Sequence, residues 1–130
     1  IYNKIIRETD KSGDEWKNRK ANKIALKRLK NAQLCINSNN FDVFFEEIEK
    51  SLWGYFADKF KVKKAELSKE TVSTYFKFSD IENDIQNKFI DLLDECEFAR
   101  YAAESNRNAK MDKVLTKAKN IIIKVETALK

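Results

Sequence analysis

Residues 41–60 read FDVFFEEIEKSLWGYFADKF, and this stretch decides the fold class. Its large apolar side chains return every three or four residues, which is the spacing of a helix that buries one face. These side chains are Phe41, Phe44, Phe45, Ile48, Leu52, Tyr55, Phe56 and Phe60. We therefore predict a core helix here, preceded by a turn at residues 37–40 in which Asn39 or Asn40 caps the helix.

The segment before this turn has the same periodicity. Apolar residues from Ala21 to Ile36 predict a helix over about residues 14–36 that buries one stripe. Its start is left open, because residues 1–12 could extend the helix backwards whereas Ser12-Gly13 is a weak point. A connection this short makes the first two helices antiparallel neighbours.

Three more helices are predicted after the core helix. Ser68 is a candidate N-cap for a short helix, and residues 79–82 match the reciprocal capping box that would open a fourth helix over about residues 80–102. A fifth helix begins near Asn108 and carries apolar residues to Leu129. The chain has no proline and only two glycines, so few sites suit the tight turns of a sheet.

The predicted fold class is therefore all-α, a single-domain bundle of about five helices, one of them short, with no sheet. A chain of 130 residues falls within the usual size of one domain. We expect residues 1–16 to form a membrane-proximal N-terminal segment, helical or not, and residues 17–130 to form the bundle. No internal repeat or low-complexity linker divides the chain further.

Basic charge is concentrated at the start of the chain. Residues 1–36 hold ten Lys and Arg against four Asp and Glu, whereas residues 37–130 hold sixteen against seventeen. The cluster predicted to lie near a membrane comprises Lys17, Arg19, Lys20, Lys23 and Lys27. Such a cluster is typical of a solvated helix face, of a nucleic-acid contact or of a segment beside an anionic membrane surface.

Trp16 favours the membrane alternative, because a tryptophan followed by clustered cations is typical of the cytoplasmic end of a membrane span. Nucleic acid is the least favoured partner, since no aromatic residues interleave with the basic ones to stack bases. The chain itself contains neither a signal peptide pattern nor an apolar stretch of the roughly eighteen residues that a span needs. Because it opens at Ile1 and its only methionine is Met111, we expect it to be a piece of a longer protein.

Two features on which many hydrolases and nucleotide-binding proteins depend are missing from this sequence. The chain has no histidine and no glycine-rich phosphate loop, which excludes histidine-activated nucleophiles and nucleotide binding through such loops. Cys35 and Cys96 lie beside apolar stripe positions and are interpreted as core thiols. The acidic pairs at residues 46–47 and 94–95 are interpreted as solvated faces, because adjacent helical side chains diverge. We therefore expect no catalytic, cofactor or metal site.

Two groups of aromatic residues are candidates for binding a partner. Phe98 and Tyr101 fall off the apolar stripe of the fourth helix, with Arg100 between them, as in many protein-binding hot spots. The alternative is that the two rings close the end of the core while Arg100 pairs with a carboxylate. Trp53 beside Gly54 also has two interpretations, a close helix crossing or a groove lined by the indole.

Three stretches carry a resemblance to a known family: RKANKIALKRL at 19–29, FEEIEKSLWGYFADK at 45–59 and LLDECEFARYA at 92–102. In order along the chain, and with ELSKE at 66–70, they resemble the C-terminal region of the BatD family of Bacteroides aerotolerance proteins. The similarity covers about residues 17–129. It brings no catalytic motif with it.

The resemblance implies an exported β-rich region, one transmembrane helix and this helical domain on the cytoplasmic side of the bacterial inner membrane. It also implies an operon with von Willebrand A-type membrane proteins and a MoxR-type ATPase, which are the expected protein partners. The predicted function is therefore a non-enzymatic interaction module of a single-pass membrane protein linked to aerotolerance or stress. The alternative is nucleic-acid or anionic-membrane binding through the basic first helix, which would weaken steeply with ionic strength.

Overall fold

The computed structural model describes the backbone of residues 2–99 and 107–129, and the side chains of residues 20–99 and 109–129. This part of the chain forms five α-helices and one 3-10 turn and contains no strand, which confirms the predicted all-α bundle. The helices are α1 (Tyr2–Asn37), α2 (Phe41–Phe60), α3 (Lys69–Phe78), α4 (Asn83–Phe98) and α5 (Arg107–Leu129), with the 3-10 turn at Lys64–Glu66.

Helix α2 is the centre of the bundle. It packs against α1, α4 and α5, and its Phe56 ring lies against the Phe76 ring of α3 with centroids 5.8 Å apart. The predicted apolar stripe of α2 is buried along its whole length, except that Phe60 is half-buried. The spacing of apolar residues every three or four positions therefore correctly predicted α2 as the core helix.

Helices α1 and α2 form the closest pair, because small residues on α1 face α2. Ala21, Ala25 and Ala32 are fully buried, and the Ser51 hydroxyl of α2 donates a 2.9 Å hydrogen bond to the carbonyl oxygen of Ala25. The two backbones can come this close because the residues between them are small, since longer side chains would hold the helices apart. Helix α1 begins at Tyr2 and continues through residues 12–13, so the weak point there does not break it.

Three helices end in the same way although no glycine stands at their ends. In each case a residue with positive φ follows the last turn, and the next backbone N–H bonds back to a carbonyl five residues earlier, as in a Schellman motif. The positive-φ residues are Asn39, Lys61 and Asp80, at 55°, 58° and 56°. The returning bonds join Asn40 to Cys35, Val62 to Ala57 and Ile81 to Phe76, at 2.9, 3.0 and 3.0 Å.

The predicted capping box at residues 79–82 is wrong for this reason. Ser79 and Asp80 belong to the end of α3, and α4 begins later, at Asn83, with Glu82 as an N-cap that makes no side-chain cap bond. The Schellman motif forms in place of the capping box because it satisfies the last carbonyls of α3 and buries Ile81, which is 4% exposed. Helix α4 ends at Phe98, and residues 100–102 of the predicted fourth helix lie outside the described residues.

The other predicted N-caps have mixed outcomes. Ser68 caps α3 as expected, with its hydroxyl oxygen accepting from the Thr71 N–H at 3.1 Å. Asn40 occupies the N-cap position of α2, yet its side chain makes no cap hydrogen bond. Helix α2 therefore starts on the strength of its buried phenylalanines rather than on a cap.

The two cysteines differ in burial. Cys96 is fully buried in α4, and this desolvation, followed by the nearby Glu49 and Glu95 carboxylates, raises the pKa of its thiol far above the usual value. Cys35 is only half-buried, so its assignment to the core is correct in part, and desolvation raises the pKa of its thiol as well. The thiolate is the reactive form, so neither thiol suits nucleophilic chemistry.

We expect Cys96→Ala to lower the free energy of unfolding by about 1–2 kcal/mol, because it leaves a small cavity. Cys96→Ser should cost about 1 kcal/mol more, since the hydroxyl is a stronger polar group to bury. Urea unfolding measures both, and Cys96 in the native wild type should react slowly with a thiol reagent at neutral pH. Equal stability of the two variants, or rapid native labelling of Cys96, would contradict this assignment.

Candidate functional site

A groove runs along the exposed side of α2, between α1 and the chain that follows α2. Its volume is about 890 Å³. Residues from three segments line it, among them Arg28, Asn31, Glu46, Trp53, Gly54 and Asp58. The Trp53 indole is half-buried, packed against the core on one side and forming part of the groove wall on the other. We call this feature the Trp53 groove.

Gly54 admits the Arg28 side chain into the wall of the groove. A Cβ atom at position 54 would lie 2.0 Å from Arg28 Nη1, which is shorter than atoms can approach. The guanidinium donates a 3.1 Å hydrogen bond from Nη1 to the carbonyl oxygen of Lys50. The two interpretations of Trp53 and Gly54 are therefore both partly correct, because glycine does admit a neighbour, and the indole does line a groove.

The basic residues of α1 do not share one environment. Lys23 and Lys27 are exposed, whereas Lys20 is half-buried. The side chains of Lys17 and Arg19 lie outside the described residues. Arg28, which belongs to the same basic stretch, is half-buried and directed toward α2. Fewer basic side chains of α1 are therefore fully exposed to solvent than the sequence contains.

The second predicted partner site is described only in part. Phe98 is 68% exposed at the end of α4, in agreement with its place off the apolar stripe, and it does not line the Trp53 groove. Arg100 and Tyr101 lie outside the described residues. Phe78, at the end of α3, is 84% exposed and was missed, since the periodicity of so short a helix does not separate its faces clearly.

The acidic residues at 94–95 are engaged in ion pairs between helices, which the solvated-face interpretation missed. The Lys69 ammonium of α3 bonds to Asp94 and also to Glu97, the latter at 2.9 Å. Glu95 pairs with Lys117 of α5 at 3.2 Å. Hydrogen bonds to Asp94 and Glu97 raise the pKa of Lys69. These carboxylates link α4 to α3 and α5 through partly exposed ion pairs.

A partly buried polar group lies between α2 and α5. The Tyr55 hydroxyl donates to Oε2 of Glu126, and the Lys59 ammonium contacts the same oxygen at 2.9 Å. Burial, followed by the hydrogen bond to Glu126, raises the pKa of Tyr55 well above its usual value. The sequence did not predict this group, because Tyr55 and Glu126 are 71 residues apart in the chain.

Buried Gln86 is a second polar residue that the periodicity did not identify. Its side chain is 5% exposed and donates from Nε2 to the carbonyl oxygen of Ile81 at 3.0 Å. This bond holds the loop between α3 and α4 against the first turn of α4. The role is therefore structural.

The comparisons with known proteins add no homologue to this picture. The chain matches no protein-family model, no curated protein and no solved structure. The resemblance to the BatD family stays a prediction that rests on the three stretches quoted above.

The described side chains and helices show neither a metal-binding cluster nor a membrane-spanning helix. In that part of the chain, no group of three or more cysteine or acidic residues is arranged to hold a metal ion. No helix there is long and apolar enough to cross a bilayer. The Trp53 groove, with a half-buried indole in its wall, is the candidate functional site.

Proposed function

We propose that this chain is a non-enzymatic protein-interaction domain that binds an amphipathic helix of a partner protein in the Trp53 groove. The observation that carries the proposal is a groove of about 890 Å³ with a half-buried indole in its wall. Half-buried tryptophans are enriched among the residues that dominate binding energy, because one face is held in place while the other covers a partner's side chain.

The charges around the groove favour a partner helix with basic residues beside its apolar anchor. Arg28 is already bonded to the Lys50 carbonyl, and the Lys50 ammonium lies 4.0 Å from Glu47. Glu46 and Asp58 line the same groove and form no ion pair with any residue that the structure describes. Basic residues of a bound helix would pair with these two carboxylates and fix its orientation.

The resemblance to the BatD family supports a setting for this activity. We propose that the domain stands on the cytoplasmic side of the bacterial inner membrane, as part of a single-pass membrane protein linked to aerotolerance or stress. The proposed partners are the von Willebrand A-type membrane proteins and the MoxR-type ATPase of the same operon. The exposed Lys23 and Lys27 of α1 are compatible with a neighbouring anionic lipid surface.

The test is binding of purified partner segments to the chain, measured by calorimetry for wild type, Trp53→Ala and Phe78→Ala. We expect Trp53→Ala to weaken binding by about thirtyfold, the effect of losing a hot spot of about 2 kcal/mol. Phe78→Ala is the matched control, since it removes an exposed ring outside the groove and should leave the affinity unchanged.

Circular dichroism and urea unfolding establish beforehand that both variants fold. Asp58→Lys should also weaken binding, because it places a cation against the proposed basic helix. Equal affinities of Trp53→Ala and wild type would reject the groove, and the absence of binding by any of the proposed partners would reject the operon assignment.

The second candidate function is binding of an anionic surface through α1, favoured by the exposed Lys23 and Lys27. It differs from groove binding in its salt dependence, since contacts with phosphates weaken steeply as ionic strength rises. Binding to anionic vesicles that survives in Trp53→Ala and disappears at high salt would favour this alternative.

A further inference from the structure

Helices α4 and α5 run side by side in a register that brings a pair of like charges together. Lys117 of α5 pairs with Glu95 of α4 at 3.2 Å. Seven residues further along α5, Lys124 lines the same groove between the helices as Lys88, which is seven residues earlier in α4. The two helices are therefore antiparallel here, with an opposite-charge pair at one point and two lysine side chains facing one groove about two turns away.

The positive charge of Lys88 and Lys124 is only partly compensated. Asp84 lies 3.3 Å from the Lys88 ammonium, one turn earlier on the same helix. This carboxylate offsets one of the two positive charges. The neighbouring Lys88 side chain lowers the pKa of Lys124, and Asp84 opposes this shift. One cationic charge in excess therefore remains at this end of the interface.

A groove of about 320 Å³ lies between the two helices at this place. Leu92 and Ile121, each 3% exposed, form its floor. Lys88, Lys124 and the Asn120 carboxamide are among its walls, so hydrogen-bond donors from both helices face the same space. We call this feature the α4–α5 groove, and it shares no residue with the Trp53 groove.

We propose that the α4–α5 groove binds a phosphate group between Lys88 and Lys124, with the organic part of a phosphate ester lying on Leu92 and Ile121. A phosphate offers more acceptor oxygens than a carboxylate, so it can accept from both ammonium groups and from Asn120 at once. It would also remove the repulsion between the two lysines. This inference does not depend on the proposed function, because the residues are different.

The acidic residues of the groove set the position of the ligand. Glu95 is held by Lys117, and Asp91 lines the groove about one turn from Lys88. An anion near Asp91 would be repelled, so the phosphate binds at the Lys88–Lys124 end. Monovalent chloride would offset the charge but could not bridge the three donor groups.

The proposal is tested by titrating the whole chain with inorganic phosphate at constant ionic strength and following backbone amides by NMR. Saturable shifts should centre on residues near 88 and 124. Lys124→Gln should weaken phosphate binding by about tenfold, the effect of losing one charge-assisted hydrogen bond. Lys119→Gln is the matched control, since Lys119 is an exposed lysine of α5 that does not line the groove, and it should bind like wild type.

Either of two results would overturn the proposal: no saturable shifts in wild type, or equal weakening by Lys124→Gln and Lys119→Gln, which indicates screening only. A second arm separates the two sources of phosphate. If vesicles of phosphatidylcholine doped with phosphatidic acid also bind in a Lys124-dependent way, the ligand is a lipid headgroup. If only free phosphate does so, the site takes the phosphate of a soluble ligand and not a lipid headgroup.

Discussion

Replacing Phe56 by alanine is expected to lower the free energy of unfolding by about 3–5 kcal/mol. Phe56 is fully buried, and its ring lies 5.8 Å from that of Phe76 and 6.5 Å from that of Phe89. It therefore joins α2 to α3 and α4 at once. Alanine would leave a cavity where three helices meet, and a cavity lined by rigid rings collapses poorly.

Urea unfolding followed by circular dichroism measures this effect, and the matched control is Phe78→Ala. The same side chain is removed at position 78, but Phe78 is 84% exposed, so its loss should change stability by less than about 0.5 kcal/mol. Comparable losses of stability in the two variants would show that the aromatic cluster around Phe56 is not the core of the bundle.

The second large effect is expected at the polar group between α2 and α5. Glu126→Ala should destabilise the fold by about 2–4 kcal/mol, because it leaves the Tyr55 hydroxyl and the Lys59 ammonium without this carboxylate. Lys59 and Glu126 side chains are only 14% and 17% exposed, so water replaces the lost partner poorly. Glu126→Gln should cost less, since its amide oxygen still accepts from Tyr55.

Chemical unfolding of a double-mutant cycle with Tyr55→Phe isolates the hydrogen bond from the ion pair. If Tyr55 and Glu126 interact as the structure has them, the double variant should be more stable than the sum of the two single losses implies. Asp112→Ala, which removes an exposed carboxylate from the same helix, should have an effect below about 0.5 kcal/mol. If the losses of stability caused by Tyr55→Phe and Glu126→Ala were strictly additive, this would argue against a direct bond between the two side chains.

The number of helices and their buried faces were predictable from the sequence, because they depend on local periodicity. The stripe of α2 and that of α5, from Met111 to Val125, are buried as the spacing of three and four requires. Helix ends were less predictable. Ser68 caps α3 with its own side chain, as its sequence indicates. Residues 79–82 also have the sequence of an N-cap, but there the Schellman motif that ends α3 forms instead.

The candidate sites, too, were predictable only where local sequence features indicated them. Trp53 was identified as a possible groove residue from its neighbour Gly54, yet only the packing of α1 on α2 reveals that Arg28 fills the space above the glycine. The α4–α5 groove could not be predicted, since Lys88 and Lys124 are separated in the chain and look like ordinary solvated lysines in the sequence.

By itself, then, the amino-acid sequence determined which segments are helical and, in the longer helices, which face is apolar, since both follow from interactions within a few residues. Only the tertiary structure decided which polar side chains meet, such as Tyr55 with Glu126, Lys69 with Asp94, and Lys88 with Lys124. The reason is physical. Apolar burial depends on area and tolerates many arrangements, whereas a hydrogen bond or ion pair requires two atoms within about 3–4 Å, which depends on how the helices cross.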